Sequence, residues 1–331
     1  MEHLLTPDVP RAPLAMARGR SLALVELLEA KLAERLADLP EIVCVAAAGS
    51  LARLESGPGS DLDAIVVTAT TSDAPQTLMA RVSGALADLP LQAPKAWGTY
   101  VSPISVATLL NTQVRGALDE PPADFGRRFQ FLLDTRALYG HEAHAALRRQ
   151  VLDWYVNDGP ARGFALLLHD LQRYRHAYHV WQSFKFERDA DDGWYLRQAK
   201  LGPSRLLGFA GLRLLLGESS RHAARSDWLA ERLPLTPLER VQDVIGAYDP
   251  ALLARVEFHY ESALSLLFSP ATRAALVAAS PVDPREIPAQ PPAAYAEVAQ
   301  HAAALRALLT RFVLARRGVW APSYYEHLLH G

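Results

Sequence analysis

Two acidic residues, Asp61 and Asp63, are separated by a single apolar residue, Leu62, at the start of an apolar run that ends near Thr68. In a β-strand, side chains two residues apart project from the same face, so the two carboxylates are expected to lie side by side while Leu62 enters the core. Adjacent carboxylates repel each other unless a cation lies between them, and Mg²⁺ takes one or two carboxylates together with substrate phosphates. The pair therefore predicts a magnesium site.

A glycine and a serine, Gly49 and Ser50, follow a second apolar run at 42–48. Glycine lets phosphate oxygens approach the backbone closely, and a serine hydroxyl and the free N–H groups at a helix start donate to anions. We therefore expect these two residues to receive a triphosphate; the alternative for Ser50 is a role as the N-cap of the following helix. Arg53 is a candidate phosphate ligand, and the alternative is a local surface pair with Glu55.

The segments around these motifs predict an α+β fold, with a small sheet region followed by a helical one. Helices are predicted at 18–39 and 76–89 and strands at 42–48, 61–68 and 95–101, with a loop at 119–124. From Phe125 onward the amphipathic spacing predicts helices, at 162–181, 194–216, 236–247, 250–267 and 293–317. Five prolines in 281–292 predict an irregular connector.

The length of 331 residues exceeds the usual size of a single core, which favours more than one domain. We predict a leader and helix over 1–40, a catalytic domain over 41–145 and a helical domain over 146–331. No signal peptide and no apolar stretch of the ~20 residues needed to span a membrane is recognisable, so a cytoplasmic protein without a membrane partner is expected. The only cysteine, Cys44, lies in an apolar run and is interpreted as a small buried hydrophobe.

The order Gly49-Ser50, ten residues, then Asp61-x-Asp63 resembles the signature of the DNA polymerase β-like nucleotidyltransferase superfamily. In its GSxxRxExxxGSDLD form it looks most like the nucleotidyltransferase domain of bacterial nitrogen-signalling uridylyltransferases and related nucleotidyltransferases of unassigned substrate. The stretches 131–140 and 184–207 are similar to further elements of those relatives. The resemblance implies a polymerase β-type sheet domain followed by an all-helical domain. It also implies Mg²⁺-dependent transfer of a nucleoside monophosphate from a triphosphate such as ATP to an acceptor hydroxyl, with release of pyrophosphate.

The superfamily usually completes its metal site with a third carboxylate on a later strand. The candidate strand 95–101 contains no acid, and Asp134 is the nearest alternative metal ligand. Asp134 could instead pair with Arg136. Without a third acid, the competing interpretation is a catalytically inactive, nucleotide-binding regulatory protein.

Cationic residues in the helical region are candidates for binding the β- and γ-phosphates. Arg197, Lys200 and Ser204 are spaced to share one helix face, and Lys185 precedes them. A solvated basic face is the alternative. Glu187 is a candidate general base for the acceptor hydroxyl. With a formal net charge of −2, a protein or small-molecule acceptor is favoured over nucleic acid.

Two further patterns lie in the segment 162–181. Tyr174, Tyr178 and Trp181 have the spacing of a helix stripe, which favours a place in the core over a base-stacking role. Arg173 and His179 form an Arg-x₅-His spacing similar to the ribonuclease motif of HEPN domains. A HEPN-like ribonuclease is therefore the least favoured of the alternatives. The histidines show no zinc-binding spacing.

Overall fold

The computed structural model describes residues 12–57, 60–84, 100–156, 165–186 and 193–330 of the chain. These residues form an α+β fold that is mostly helical and contains one small mixed sheet. The strands are β1 (Ile42–Ala48), β2 (Asp63–Thr68), β3 (Ile104–Ser105) and β4 (Thr135–Tyr139). The helices of this first part are α1 (Ala12–Arg35), α2 (Gly49–Ala52), α3 (Pro75–Gly84), α4 (Val106–Leu109), α5 (Pro122–Leu133) and α6 (His141–Tyr155).

The second part of the chain is helical. Its helices are α7 (Ala165–Phe184), α8 (Trp194–Lys200), α9 (Leu206–Ser219), α10 (Arg225–Arg232), α11 (Pro237–Gly246), α12 (Pro250–Phe268), α13 (Pro270–Ala278), α14 (Ala293–Ala315) and α15 (Pro322–His330). A π-helical turn, Leu201–Arg205, joins α8 to α9, and a short 3-10 helix, Pro284–Glu286, lies in the proline-rich connector. Among the described helices, none has the length and apolar character needed to cross a membrane.

The sheet has the strand order β3-β2-β1-β4, with β1 antiparallel to both of its neighbours and β2 parallel to β3. Alternate residues of β1 face opposite sides. Cys44 and Ala46 join a core with α5 and α6, while Val45 and Ala47 join a second core with α1 and α3. The sheet is therefore covered on both faces, which explains why β1 reads as a continuous apolar run.

One hydrophobic cluster connects the sheet to the helical part of the chain. It includes Cys44 on β1, Phe129 on α5, Leu207 on α9 and Tyr324 on α15. Burial raises the pKa of the Cys44 thiol to about 12, so the thiol stays protonated at neutral pH. Cys44 is thus the small buried hydrophobe that the sequence predicts. The division into separate domains stays a prediction.

The structure corrects several sequence predictions of secondary structure. The segment from Phe125 onward was expected to be almost entirely helical, but it contains a strand, β4. Its five residues are too few to show a periodicity, and they are held by pairing with β1. Within the predicted loop 119–124, α5 begins at Pro122, because proline suits the first turn of a helix. Of the predicted strand 95–101, residues 95–99 lie outside the described residues, and Tyr100 and Val101 form a turn and a bend.

Candidate active site

Three of the motifs identified in the sequence meet at one edge of the sheet. Ala48, the last residue of β1, pairs with Asp63 on one side and with Thr135 on the other. Because β1 runs antiparallel to both neighbours, its end lies beside the starts of β2 and β4. Gly49, Asp63 and Asp134 are therefore brought to the same edge although more than eighty positions separate the first from the last.

Asp61 and Asp63 show the alternation expected of a strand start. Leu62 is only 2% exposed and belongs to the core between the sheet and α1. Asp61 and Asp63 are partly exposed, and both line a cavity of about 420 Å³. That volume lies in the range of small-molecule sites, ~300–1,000 Å³. The two carboxylates thus project together into a space large enough for a ligand.

Gly49 lies against the Asp63 carboxylate. Its φ is +68°, in the left-handed region that favours glycine, and a Cβ placed on it would lie 3.0 Å from Oδ2 of Asp63. Gly49 is also the first residue of the single-turn helix α2, whose N-cap is Ala48. Ser50 therefore lies inside α2 rather than capping it, and it lines the cavity.

The chain leaves α2 through a left-handed residue that is not glycine. Leu54 has a φ of +60°, and the amide N–H groups of Leu54 and Glu55 donate to the carbonyls of Leu51 (3.1 Å) and Ser50 (2.8 Å). This is the hydrogen-bond pattern of a Schellman motif, in which glycine usually occupies the left-handed position. A left-handed conformation costs a non-glycine residue roughly 1–2 kcal/mol. Burial of Leu54, only 2% exposed, offsets that cost, and the turn directs Glu55 inward.

A buried charge network is centred on Arg53, which lines the cavity together with Glu55. Its Nε donates to Glu55 Oε2 (3.0 Å) and its Nη1 to Asp134 Oδ2 (2.6 Å), and the Tyr260 hydroxyl donates to Glu55 Oε1. Burial alone would lower the pKa of Arg53, but the neighbouring Glu55 and Asp134 carboxylates raise it, so the guanidinium stays charged. The Arg53–Glu55 pair is therefore buried. The alternative of a local pair on the surface is wrong.

Asp134 lies in this network and is not among the described residues that line the cavity. Its Oδ2 binds Arg53 and lies 3.9 Å from Nη1 of Arg205, so its partners are these arginines rather than Arg136. Its Oδ1 is buried and has no hydrogen-bond partner among the residues that the structure describes. Over the same residues, no group of three or more histidine, cysteine or acidic side chains could hold a metal ion.

The predicted cations line the same cavity as the two aspartates. Arg197, Lys200 and Ser204 all line the cavity, as their spacing on one helix face suggests, and Lys185 lies beside them. Arg197 donates to the backbone carbonyl of Lys185, which ties the end of α7 to α8. Glu187, the candidate general base, lies outside the described residues.

The π-helical turn Leu201–Arg205 positions Ser204 and Arg205, which also line the cavity. Pro203 in the turn has no N–H to continue the α-helical pattern, and π-helical turns are frequent at functional sites. The turn brings Ser204 within hydrogen-bonding distance of Tyr260 and Arg205 over the ring of Tyr178, 4.9 Å from its centroid. Burial would lower the pKa of Arg205, but Tyr178 and Asp134 lead the neighbours that raise it.

An aromatic row forms the side of the cavity. Tyr174 and Tyr178 stack with their centroids 6.2 Å apart, and Trp181 meets Tyr178 edge to face at 6.0 Å. All three rings line the cavity, and the expectation that the stripe belongs to the core holds for Tyr174, which packs against the main hydrophobic cluster, but not for Trp181, which is 49% exposed. The spacing could not distinguish the two outcomes, because a helix stripe packs equally well on a core or along a cleft.

Among the cavity residues that were not singled out in the sequence are Tyr100, Phe268 and Arg273. Tyr100 lies in a segment expected to be a strand, and burial is the first cause that raises its pKa well above the usual value. Phe268 and Arg273 belong to α12 and α13, beyond the stretch where the chain resembles nucleotidyltransferases. No signal in the sequence distinguishes them from other helix residues.

The two residues of the Arg-x₅-His spacing contact different parts of the molecule. Arg173 forms ion pairs with Glu120 (2.7 Å) and Asp170 (3.2 Å). His179 instead lines a separate, smaller cavity beside α14. The spacing on its own does not bring the two side chains to one ligand.

Comparison with known families and curated proteins identifies no relative of the chain. No model of a protein family matches it, and a search of curated proteins finds no match. The geometry of the cavity is therefore the basis on which a function can be argued.

Proposed function

We propose that the protein is a Mg²⁺-dependent nucleotidyltransferase that moves a nucleoside monophosphate from a nucleoside triphosphate to an acceptor hydroxyl. One observation carries the proposal: a carboxylate pair and a cluster of cations line the same cavity. Asp61 and Asp63 are the carboxylates, and Arg197, Lys200 and Arg205 are among the cations. A triphosphate complexed with a cation needs carboxylates for the cation and basic side chains for the phosphates. An apolar ligand needs neither.

The residues present fit Mg²⁺. Asp61 and Asp63 offer hard oxygen donors at the start of β2, and the open cavity beside them leaves coordination positions for phosphate oxygens. When bound, the ion offsets negative charge on the transferred phosphoryl group. In this proposal Asp134 holds Arg53 in place at the cavity, and the metal ligands from the chain are Asp61 and Asp63.

The remaining roles follow from the position of each side chain. Gly49 and Ser50 lie beside the carboxylates and receive the triphosphate. Lys185, Lys200 and Arg205 neutralise the β- and γ-phosphates, which leave as pyrophosphate when the acceptor oxygen bonds to the α-phosphorus and releases its proton. Arg197 and Ser204, which line the same cavity, are further nucleotide ligands.

The aromatic row supplies a surface for the base. Base–aromatic stacking contributes about 1–3 kcal/mol per base and tolerates any base, because every base has a π face. Tyr178 is already held between Tyr174 and the Arg205 guanidinium, so the half-exposed Trp181 is the ring available to a ligand. A protein or small-molecule acceptor is proposed, since the net charge of −2 provides no general attraction for nucleic acid.

The test is thermal unfolding with each of the four nucleoside triphosphates, with and without Mg²⁺. A ligand at 100 times its Kd adds ~2.7 kcal/mol of stability. The expected result is a Mg²⁺-dependent rise of the midpoint in the wild type that is lost in the Asp61→Asn/Asp63→Asn variant. Asp73→Asn, an exposed acid outside the cavity, is the matched control and should keep the rise.

Release of pyrophosphate in the presence of candidate acceptors then separates an enzyme from a regulatory binder. Turnover that depends on Asp61 and Asp63 supports the proposal. Nucleotide binding without turnover favours the inactive regulatory protein. A wild-type midpoint that no triphosphate changes would overturn the proposal of a nucleotide site.

A further inference from the structure

Two helices of the second part of the chain, α12 and α14, pack against each other and contribute to one hydrophobic cluster. Each places a histidine at their contact, His259 from α12 and His301 from α14. Nδ1 of the first ring lies 3.1 Å from Nδ1 of the second, and the ring centroids are 5.3 Å apart. Neither histidine is among the described residues that line the two cavities, so the pair is separate from the proposed nucleotide site.

The separation of the two nitrogens is one that a shared metal ion requires. Zn–N bonds are about 2.0–2.1 Å long, so two imidazole nitrogens on one ion are ~2.9 Å apart at a right angle and ~3.3 Å apart at the tetrahedral angle. The observed 3.1 Å lies between these values. The alternative interpretation is a hydrogen bond alone, in which one ring donates and the other accepts.

Both rings are in the state that binds a metal ion. Burial is the first cause that lowers the pKa of His259 and of His301, so both imidazoles are neutral at neutral pH. A neutral imidazole can carry its proton on Nε2, which leaves the Nδ1 lone pair available to an ion. Both side chains are partly exposed, so an ion can reach them.

The surroundings of the pair favour an ion that prefers imidazole over a hard cation. Phe258 meets both rings edge to face, with centroid distances of 5.1 Å to His259 and 6.2 Å to His301. Arg255 and Glu297 are exposed and lie one turn before the two histidines on their respective helices, so their charges offset each other. Imidazole suits Zn²⁺, Cu²⁺ and Ni²⁺, whereas Mg²⁺ prefers oxygen ligands.

We propose that His259 and His301 bind one Zn²⁺ ion between α12 and α14, with water at the remaining coordination positions. Two side chains then hold the ion, which agrees with the finding that no cluster of three or more such ligands exists over the described residues. The histidines are 42 positions apart, so tertiary packing creates the site and no zinc-binding spacing marks it in the sequence.

An ion at this position has a structural role. It fastens α12 to α14 and closes the intervening loop, which restricts the unfolded chain. α12 also carries Tyr260, which donates to Glu55, and Leu264 and Phe268, which line the larger cavity. Zn²⁺ should therefore raise the unfolding midpoint through the helix that forms part of that cavity.

A second histidine pair provides an internal comparison. Nε2 of His169 on α7 lies 3.1 Å from Nδ1 of His327 on α15. α12 and α14 have 19 and 23 residues, whereas α15 has only 9. The short helix holds its histidine less firmly, and ligands that are fixed in advance bind more tightly. The tighter site is therefore expected between α12 and α14, and His169→Ala removes the other pair.

The test is calorimetric titration of ZnCl₂ into the His169→Ala protein after dialysis against a chelator. Saturable binding is expected, weakened at least tenfold by the further change His259→Ala or His301→Ala. His222→Ala is the matched control, because His222 is a partly exposed histidine whose ring stacks on Trp228 rather than on another histidine. It should leave the affinity for Zn²⁺ unchanged.

Electron paramagnetic resonance with Cu²⁺ in place of Zn²⁺ identifies the ligands, because nitrogen donors split the copper signal. Splitting by two imidazole nitrogens is expected in the His169→Ala protein and should be lost with His259→Ala. If His259→Ala fails to fold, His259→Gln keeps a polar side chain at this position, removes the imidazole and allows both measurements.

Asp61→Asn/Asp63→Asn separates this site from the proposed magnesium site. It should leave the affinity for Zn²⁺ unchanged, so a failure of the nucleotide proposal does not affect this test. The proposal would be overturned by the absence of saturable binding or by an equal affinity after His259→Ala. Loss of Zn²⁺ binding in the aspartate variant would overturn it as well, since the ion would then belong to the carboxylate pair.

Discussion

Gly49 and Asp63 are in such close contact that a methyl group on Gly49 would lie 3.0 Å from Oδ2 of Asp63. The contact joins the turn that ends β1 to the carboxylate that begins β2. Few real Cβ atoms approach an oxygen so closely, so the position of the Asp63 carboxylate depends on the absence of a side chain at residue 49.

Gly49→Ala should therefore weaken the Mg²⁺-dependent effect of a triphosphate on thermal unfolding. The substitution forces a left-handed alanine, which costs of order 1–3 kcal/mol, and it also displaces the Asp63 carboxylate. The measurement is the unfolding midpoint with and without Mg²⁺ and triphosphate.

Gly116→Ala is the matched control for this substitution. Gly116 has a similar φ of +77°, but a Cβ there meets nothing within 4 Å. It should lower stability through the same backbone strain and leave the ligand-induced shift intact. An equal loss of that shift in both variants would contradict a specific role for the Gly49–Asp63 contact.

Asp134→Asn should destabilise the protein by about 3 kcal/mol, because it leaves the buried Arg53 guanidinium with only Glu55 as an ionised partner. The comparison is Asp38→Asn, which breaks an exposed ion pair with Arg81 and should barely move the unfolding midpoint. Urea denaturation without metal measures both. The opposite pattern, normal stability with a large loss of Mg²⁺ affinity, would identify Asp134 as a metal ligand.

The carboxylate pair and its strand were predictable, whereas the charge network centred on Arg53 was not. The Asp61-Leu62-Asp63 alternation and the run 42–48 are local patterns, and the structure reproduces both. Glu55 and Tyr260 are 205 positions apart, and only tertiary packing brings them together. Likewise, nothing local marks the strand after Asp134, since its stability comes from pairing with β1.

Trp181→Ala should reduce triphosphate affinity by about 1–3 kcal/mol, the usual contribution of one base–aromatic stack. Stability without ligand should change little, because the ring is half exposed. Phe184→Ala, three positions later on α7, removes a ring that is 80% exposed and outside the cavity and should leave the affinity unchanged. Calorimetric titration of the four triphosphates checks both variants. A similar affinity in wild type and Trp181→Ala would exclude Trp181 as the stacking surface.

His144 should make the protein sensitive to acid. Burial, followed by Arg148, lowers its pKa from 6.5 to about 3. Between these values the unfolded chain binds one proton more than the folded protein, so the free energy of unfolding falls as the pH falls. From pH 6.5 to 4.5 this amounts to about 2–3 kcal/mol, at ~1.4 kcal/mol per pH unit.

His144→Gln should reduce that pH dependence, even if the variant is less stable at neutral pH. His141→Gln is the control, because His141 is an exposed residue paired with Glu29. Urea midpoints at pH 6.5 and 4.5 give the difference for each protein. If His144→Gln and the wild type lose the same free energy, another group is responsible for the acid sensitivity.

The chain of contacts from Ser204 through Tyr260 and Glu55 to Arg53 has a kinetic consequence. It joins the sheet edge to α12 and the π-helical turn through ionised groups that are shielded from water. Moving these elements apart would expose the charged groups and break their hydrogen bonds together, so a hinge opening between them should be slow. A bound ligand should therefore exchange through rotations of surface side chains such as Trp181, and its dissociation rate should depend on the side chains at the cavity entrance.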